Sequence, residues 1–63
     1  MCIATVYVDS GGHREQVMSE VARLEAEEGG FLLIGLLGEQ KRLQGKLKSI
    51  DFLEGHSVLI EQG

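Results

Sequence analysis

The chain has 63 residues, enough for one domain, and folding at this size buries only about 60% of the surface that the unfolded chain exposes. Its single cysteine excludes an internal disulfide, so we expect dimerisation or a bound metal to add stability. Six basic against ten acidic side chains give a net charge of −4, which disfavours binding to nucleic-acid phosphates. The composition therefore predicts one soluble domain over residues 1–63.

The sequence shows no segment that would cross a membrane or direct secretion. The apolar run over residues 31–37 contains Gly35 and is far shorter than the roughly 20 residues that span a bilayer. The N-terminus reaches Asp9 without the basic and apolar regions of a secretory signal. We predict a cytoplasmic protein, since a free thiol stays reduced in that compartment.

The first predicted element is a strand from Cys2 to Val8. It is rich in β-branched and aromatic residues. One face of the strand carries Cys2, Ala4, Val6 and Val8, and the other carries Ile3, Thr5 and Tyr7. Residues 9–12 then form a cluster of Asp, Ser and two Gly, which is typical of a tight turn.

The stretch from Glu15 to Glu28 is ambiguous. Val17, Val21 and Leu24 recur at helical spacing in a segment of good helix formers. Residues 22–27 instead alternate between apolar and charged, which is the period of a half-buried strand. Local pattern alone does not decide between a helix and a strand here.

The second half of the chain reads as strands separated by glycine turns. Residues 31–37 predict a central strand covered on both faces, and residues 41–52 predict a further extended segment in which Gly45 marks a bend or bulge. Residues 57–61 predict the last strand. We therefore expect an all-β fold, a small barrel or meander of about five to seven short strands.

Cys2 is the residue whose chemistry stands out. It is small enough for Met1 to be removed during synthesis, which would leave a thiolate and an α-amine on one residue. A divalent metal can deprotonate both groups near neutral pH, and the deprotonated backbone amide of Ile3 would close a second chelate ring. Nitrogen and sulfur donors in a plane suit Ni(II) or Cu(II) better than Zn(II).

A structural interpretation of Cys2 stays open beside this one, because a lone cysteine is often a small buried apolar residue. His13 and His56 lie in or beside glycine turns without a second ligand at metal-binding spacing. The carboxylates of residues 25–28 are most simply a solvated face. No catalytic constellation or phosphate-binding glycine pattern occurs, so we predict that the chain is not an enzyme.

Four segments carry a resemblance to a known family. They are Met1 to Tyr7, Leu36 to Glu39, Gly45 to Leu47 and Ile50 to Phe52, followed by a final apolar strand. Together they resemble the CooT family over nearly the whole chain. CooT-like proteins are small nickel-binding accessory proteins linked to maturation of carbon monoxide dehydrogenase, and the cysteine directly after the initiator methionine is the family's metal ligand.

The resemblance implies that Cys2 binds Ni(II), that the chain is a homodimer with nickel between two N-termini, and that a nickel enzyme is its client. It also implies a β-rich fold, so we take residues 15–28 as mostly extended, with room for a single helical turn from Val17 to Glu20. The Met-Cys start followed by Ala is also similar to HypC-type hydrogenase maturation chaperones.

A second hypothesis is a small β-barrel module that binds RNA or protein and in which Cys2 only packs. It would use the basic residues Lys41, Arg42, Lys46 and Lys48, although these are not interleaved with stacking aromatics.

Overall fold

The computed structural model describes residues 3–63, which form a single six-stranded sheet with no helix among them. The strands are β1 (Ala4–Ser10), β2 (His13–Glu27), β3 (Gly30–Gly35), β4 (Gln40–Gln44), β5 (Lys46–Asp51) and β6 (Ser57–Gln62). The predicted all-β class is confirmed, and the number of strands lies in the predicted range.

Residues 15–27 of the ambiguous stretch belong to strand β2 and Glu28 begins the following turn, so the helical turn expected from Val17 to Glu20 is wrong. Val21 pairs with Ala4 and Met18 pairs with Val6, so two residues of β2 lie opposite one residue of β1. This is a β-bulge, and it places Glu20 at a φ of 53°, in the left-handed region. Tertiary pairing has overridden the helical propensity of the segment.

The strands lie in the order β4-β3-β2-β1-β6-β5. The first four form an antiparallel meander, because each pairs with the next along the chain. The hairpin of β5 and β6 is added to it through a parallel ladder between β6 and β1. No ladder joins β4 to β5 in the described part of the chain, so the sheet is a meander with an added hairpin and is not a closed barrel.

Gly45 alone separates β4 from β5, although these strands occupy opposite edges of the sheet. The sheet must therefore curl until its two edges meet at this residue. The Gly45 N–H donates to the carbonyl of Gly29 at 3.1 Å, and Gln62 Nε2 donates to the carbonyl of Gln44 at 2.8 Å. The sequence placed a bend at Gly45 correctly but merged the two strands into one segment.

The core lies on the inner face of the curled sheet. Its buried members are aliphatic side chains from β1, β2, β3 and β6, namely Val6, Val8, Val21, Leu33, Val58 and Ile60. Burying each contributes about 1.5–3 kcal/mol relative to exposure. No polar side chain of the described residues is buried, so no desolvated charge offsets the stabilisation from burying these aliphatic side chains.

The predicted central strand ends two residues early. Leu36 and Leu37 belong to the turn between β3 and β4, where Leu37 is 91% exposed. Glu39 closes this turn, because its carbonyl accepts from the Gly35 N–H at 2.8 Å and its Oε1 accepts from the Leu37 N–H at 3.1 Å. The apolar run therefore continues past the strand that it predicted.

Candidate functional site

Cys2, the predicted metal ligand, lies outside the described residues. Ile3, whose backbone amide is the second predicted ligand, is half-buried and precedes β1. The start of β1 is held by β6, because the Thr5 N–H donates to the carbonyl of His56 at 2.9 Å and Thr5 pairs with Ser57. The chain just after Cys2 is thus fixed to the sheet at its N-terminal end.

An open cavity of about 180 Å³ lies at this end of the sheet. Its walls come from the N-terminal segment, the middle of β2 and the connection between β5 and β6, and its lining residues are Ile3, Ala4, Val6, Val21, Ala22, Arg23, Leu24, Phe52, His56 and Val58. Most of these are apolar. Sequence reasoning missed the cavity, because segments distant in the chain build it and no motif marks it.

The side chains of Phe52 and His56 meet edge to face at this cavity, with ring centroids 5.5 Å apart. His56, which the sequence placed in or beside a glycine turn, is half-buried. Phe52 is 70% exposed and its neighbour Leu53 is 91% exposed. Phe52 lines the same cavity as Ile3, and large exposed apolar side chains of this kind are typical of a surface that contacts another protein.

Residues 3–63 contain no group of three or more His, Cys, Asp or Glu side chains that could hold a metal ion. His13 begins β2 opposite Ser10, at the far end of β1, while His56 lies next to the start of β1. The fold therefore does not bring the two histidines together.

Two of the four clustered basic residues are engaged in ion pairs. Arg42 Nε lies 3.1 Å from Glu27 Oε1 and its Nη2 lies 3.3 Å from Glu27 Oε2, a two-bond contact that crosses β3. Lys48 Nζ lies 2.8 Å from Asp9 Oδ2. The hydrogen bond from Lys48 lowers the pKa of Asp9, and the same bond raises the pKa of Lys48.

These ion pairs weaken the case for a nucleic-acid surface. Lys41 and Lys46 make no salt bridge with any residue from 3 to 63, but they lie on opposite edges of the sheet. Arg23, the remaining cation near the cavity, pairs with Glu25 at 2.7 Å. Among residues 41–48, the two lysines without a salt bridge are thus separated by the width of the sheet, which does not suit a phosphate backbone.

The fold and the N-terminal end of the sheet define a small all-β domain with an open, mainly apolar cavity. This is the class of small accessory and binding domains. A family model described as the CO dehydrogenase accessory protein CooT matches residues 1–61. The chain belongs to the CooT family, which consists of accessory proteins and not of enzymes, as the sequence predicted.

A solved structure supports this assignment. The crystal structure of a protein described as a candidate CooT from Carboxydothermus hydrogenoformans superposes with a TM-score of 0.84 at 29% identity, and the match covers 98% of each chain. No curated protein matches the chain. Among residues 3–63, no helix is long and apolar enough to cross a membrane.

Proposed function

We propose that this chain is a nickel-binding accessory protein that holds Ni(II) as cargo through Cys2 and passes it to a nickel enzyme such as carbon monoxide dehydrogenase. The observation that carries the proposal is the match to the CooT family, which begins at residue 1 and so includes Cys2. The assigned ligands are the Cys2 thiolate and the backbone amide of Ile3. The proposed compartment is the cytoplasm, where the thiol stays reduced.

The donor chemistry fits Ni(II). A thiolate and a deprotonated amide nitrogen are strong σ-donors that together suit a square-planar Ni(II) ion, and one chain supplies too few of them to fill four positions. A homodimer that brings two N-termini to one ion completes the set. Copper binds such donors more tightly than nickel, so selectivity depends on geometry and on metal supply.

The surface beside Ile3 supports the homodimer. The cavity is lined mainly by apolar residues, and Phe52 and Leu53 leave large apolar surface exposed next to it. A second copy covering this end of the molecule would bury that surface and bring the two nickel-binding ends together. A metal that binds only the dimer stabilises the dimer by mass action.

Replacing Cys2 by Ala tests the thiolate ligand. We expect the thiolate-to-nickel charge-transfer absorption to disappear, while far-UV circular dichroism stays that of a folded β protein. The matched control is His13→Ala, which removes a potential ligand at the far end of β1 and leaves the nickel titration unchanged. Undiminished tight nickel binding by Cys2→Ala would defeat the proposal.

Replacing Ile3 by Pro tests the amide ligand, because proline has no N–H to lose to a metal. Ile3 precedes β1, so the substitution leaves the pairs of that strand in place. We expect the ligand-field bands of the nickel complex to shift and the affinity to fall, whereas Ile3→Val preserves both. Identical spectra for the Pro and Val variants would remove this amide from the ligand set.

Two leucines with equal exposure test the dimer surface. Leu53 and Leu37 are each 91% exposed, but Leu53 follows a residue of the cavity wall and Leu37 lies in the turn between β3 and β4. Leu53→Glu should weaken nickel-dependent dimerisation in sedimentation equilibrium, and Leu37→Glu should not. Equal effects of the two variants would place the interface elsewhere.

A further inference from the structure

The two edge strands of the sheet, β4 and β5, differ in the side chains that they expose to solvent. On β4, Leu43 is half-buried and the other four residues are exposed and polar or charged. On β5 all six residues are exposed, and two of them are large apolar side chains, Leu47 at 49% and Ile50 at 45%. An edge strand with exposed apolar residues is a template for pairing with another strand.

The ladder with β6 fixes which side of the sheet each β5 side chain faces. Leu47 pairs with Ile60 and Ile50 pairs with Val58. Ile60 and Val58 are core residues, so the side chains of Leu47 and Ile50 lie on the core face of the sheet. Lys46 pairs with Glu61 and Asp51 pairs with Ser57, on the opposite face. A register shift between Leu47 and Ser49 keeps the two apolar residues on one face although they are three positions apart.

From this arrangement we propose that the outer edge of β5 pairs with β5 of a second copy of this chain, in an antiparallel register that sets Leu47 opposite Ile50 and Lys46 opposite Asp51. The two-fold axis passes between Lys48 and Ser49. Each contact then occurs twice, apolar against apolar on the core face and ammonium against carboxylate on the other face.

The strand is complementary to itself in this one register. Lys46 stands at the beginning of the strand and Asp51 at its end, so reversal brings opposite charges together. The other basic residue of the strand, Lys48, is already paired with Asp9. Lys46 makes no salt bridge with any described residue, and its ammonium is free to take a partner. A shift by one residue would set apolar side chains against polar ones on the opposite face.

Without nickel, this pairing closes the β5 edge and does not continue into a fibre. A two-fold contact uses the β5 edge of both copies, which leaves only the two β4 edges. Lys41 and Arg42 protect those edges as charged residues, and Arg42 is held by Glu27. The product is a continuous twelve-stranded sheet made of two copies.

This contact is distinct from the proposed nickel-bridged dimer and does not depend on nickel. The ladders set Thr5 level with Ser57 and Ser57 level with Asp51, so Ile3 lies beyond the end of β5 while the axis crosses its middle. The pairing therefore carries the two N-termini apart. With both contacts present, dimers would join through their β5 edges.

A charge exchange tests the register. Sedimentation equilibrium is measured without metal in a Cys2→Ala background, where a nickel-bridged contact is absent. Lys46→Asp and Asp51→Lys should each weaken association by about tenfold, because each turns two attractive pairs into repulsive ones. The double variant should return to within about threefold of the parent.

Controls separate the edge from general charge and folding effects. Lys41→Asp makes the same charge change on the β4 edge and should alter association by less than about twofold, since β4 takes no part in the contact. Asp51→Asn keeps the Oδ1 acceptor that the Leu53 N–H uses at 2.8 Å, and should weaken association less than Asp51→Lys.

The proposal is overturned if the chain does not associate at millimolar concentration. It is also overturned if the losses of affinity add up in the double variant, or if Lys41→Asp weakens association as much as Lys46→Asp does. It is also overturned if the outward amides of β5 gain no hydrogen-exchange protection as concentration rises. Nickel uptake by the native chain is unaffected by these outcomes, so the failure of this proposal leaves the proposed function standing, and the reverse holds.

Discussion

Asp9 and Lys48 are 39 residues apart in the chain, yet their side chains meet at 2.8 Å. Asp9 belongs to β1 and Lys48 to β5, and β6 lies between these strands. The Lys48 side chain therefore reaches over β6 and ties the added hairpin to the meander. No sequence signal marks this pair. An ion pair between distant positions depends on the order of the strands in the sheet, and local sequence patterns do not predict that order.

The Asp9–Lys48 pair predicts a pH dependence of stability. The pKa of Asp9 is lowered in the folded chain by the Lys48 hydrogen bond, so its contribution is present above the unfolded value of about 3.9 and is lost as pH falls through the folded pKa. The pKa of Lys48 is raised, so its contribution is lost as pH rises through the folded pKa above about 10.4.

We therefore expect Asp9→Asn to be less stable than the native chain at neutral pH and equally stable once pH falls below the folded pKa of Asp9. Urea unfolding across this range measures the difference. Repeating the substitution in a Lys48→Met background should shrink the difference, since the partner charge is gone. A difference independent of both pH and Lys48 would contradict the assignment.

At the scale of the elements, the sequence predicts strand positions better than strand ends. β6 begins at Ser57 as expected, and Gly45 is a break as expected. The two wrong predictions have physical causes. The segment of β2 contains good helix formers but pairs as a strand, and the apolar run that begins in β3 continues beyond the strand to the exposed Leu37. Burial of such residues depends on neighbouring strands, which local periodicity does not contain.

The bulge in β2 gives an element-scale prediction. Glu20 has a φ of 53°, which costs a residue with a Cβ about 1–2 kcal/mol, while its carbonyl accepts from the Leu36 N–H at 3.0 Å. Glu20→Gly should therefore raise the free energy of unfolding by up to about 1 kcal/mol, since flexibility of the unfolded chain offsets part of the relief.

Glu15 supplies the matched control, because it is exposed on the same strand in regular pairing with Val8. Glu15→Gly should lower the free energy of unfolding by about 0.5–1 kcal/mol. If the bulge is present, urea unfolding should show changes of opposite sign in the free energy of unfolding for the two variants. Destabilisation of similar size by both would mean that Glu20 is not in the left-handed region.

At the scale of the whole molecule, the curl of the sheet is concentrated at one residue. Gly45 has a φ of 139°, and a Cβ there would lie 2.6 Å from the carbonyl oxygen of Glu61 and 2.7 Å from Ile60 Cγ2. Gly45 lies so close to β6, the strand beside β5, that only a glycine fits there. The same curl creates the inner face on which the core and the N-terminal cavity lie.

Gly45→Ala should consequently destabilise the whole domain. The backbone conformation costs about 1–2 kcal/mol and the clash with backbone and core about 1–3 kcal/mol more. Gly38→Ala is the matched control, since its φ of 89° carries the conformational cost while a Cβ meets nothing within 4 Å.

Urea unfolding should therefore show a clearly larger loss of stability for Gly45→Ala than for Gly38→Ala, and equal losses would contradict the close contact between Gly45 and β6. A 63-residue domain has a total stability of only about 3–9 kcal/mol, so Gly45→Ala removes a large share of it. Because the corner holds both edges of the sheet, hydrogen exchange should rise in β4 and β5 together. Exchange confined to one of these strands would mean that the edges are not coupled through Gly45.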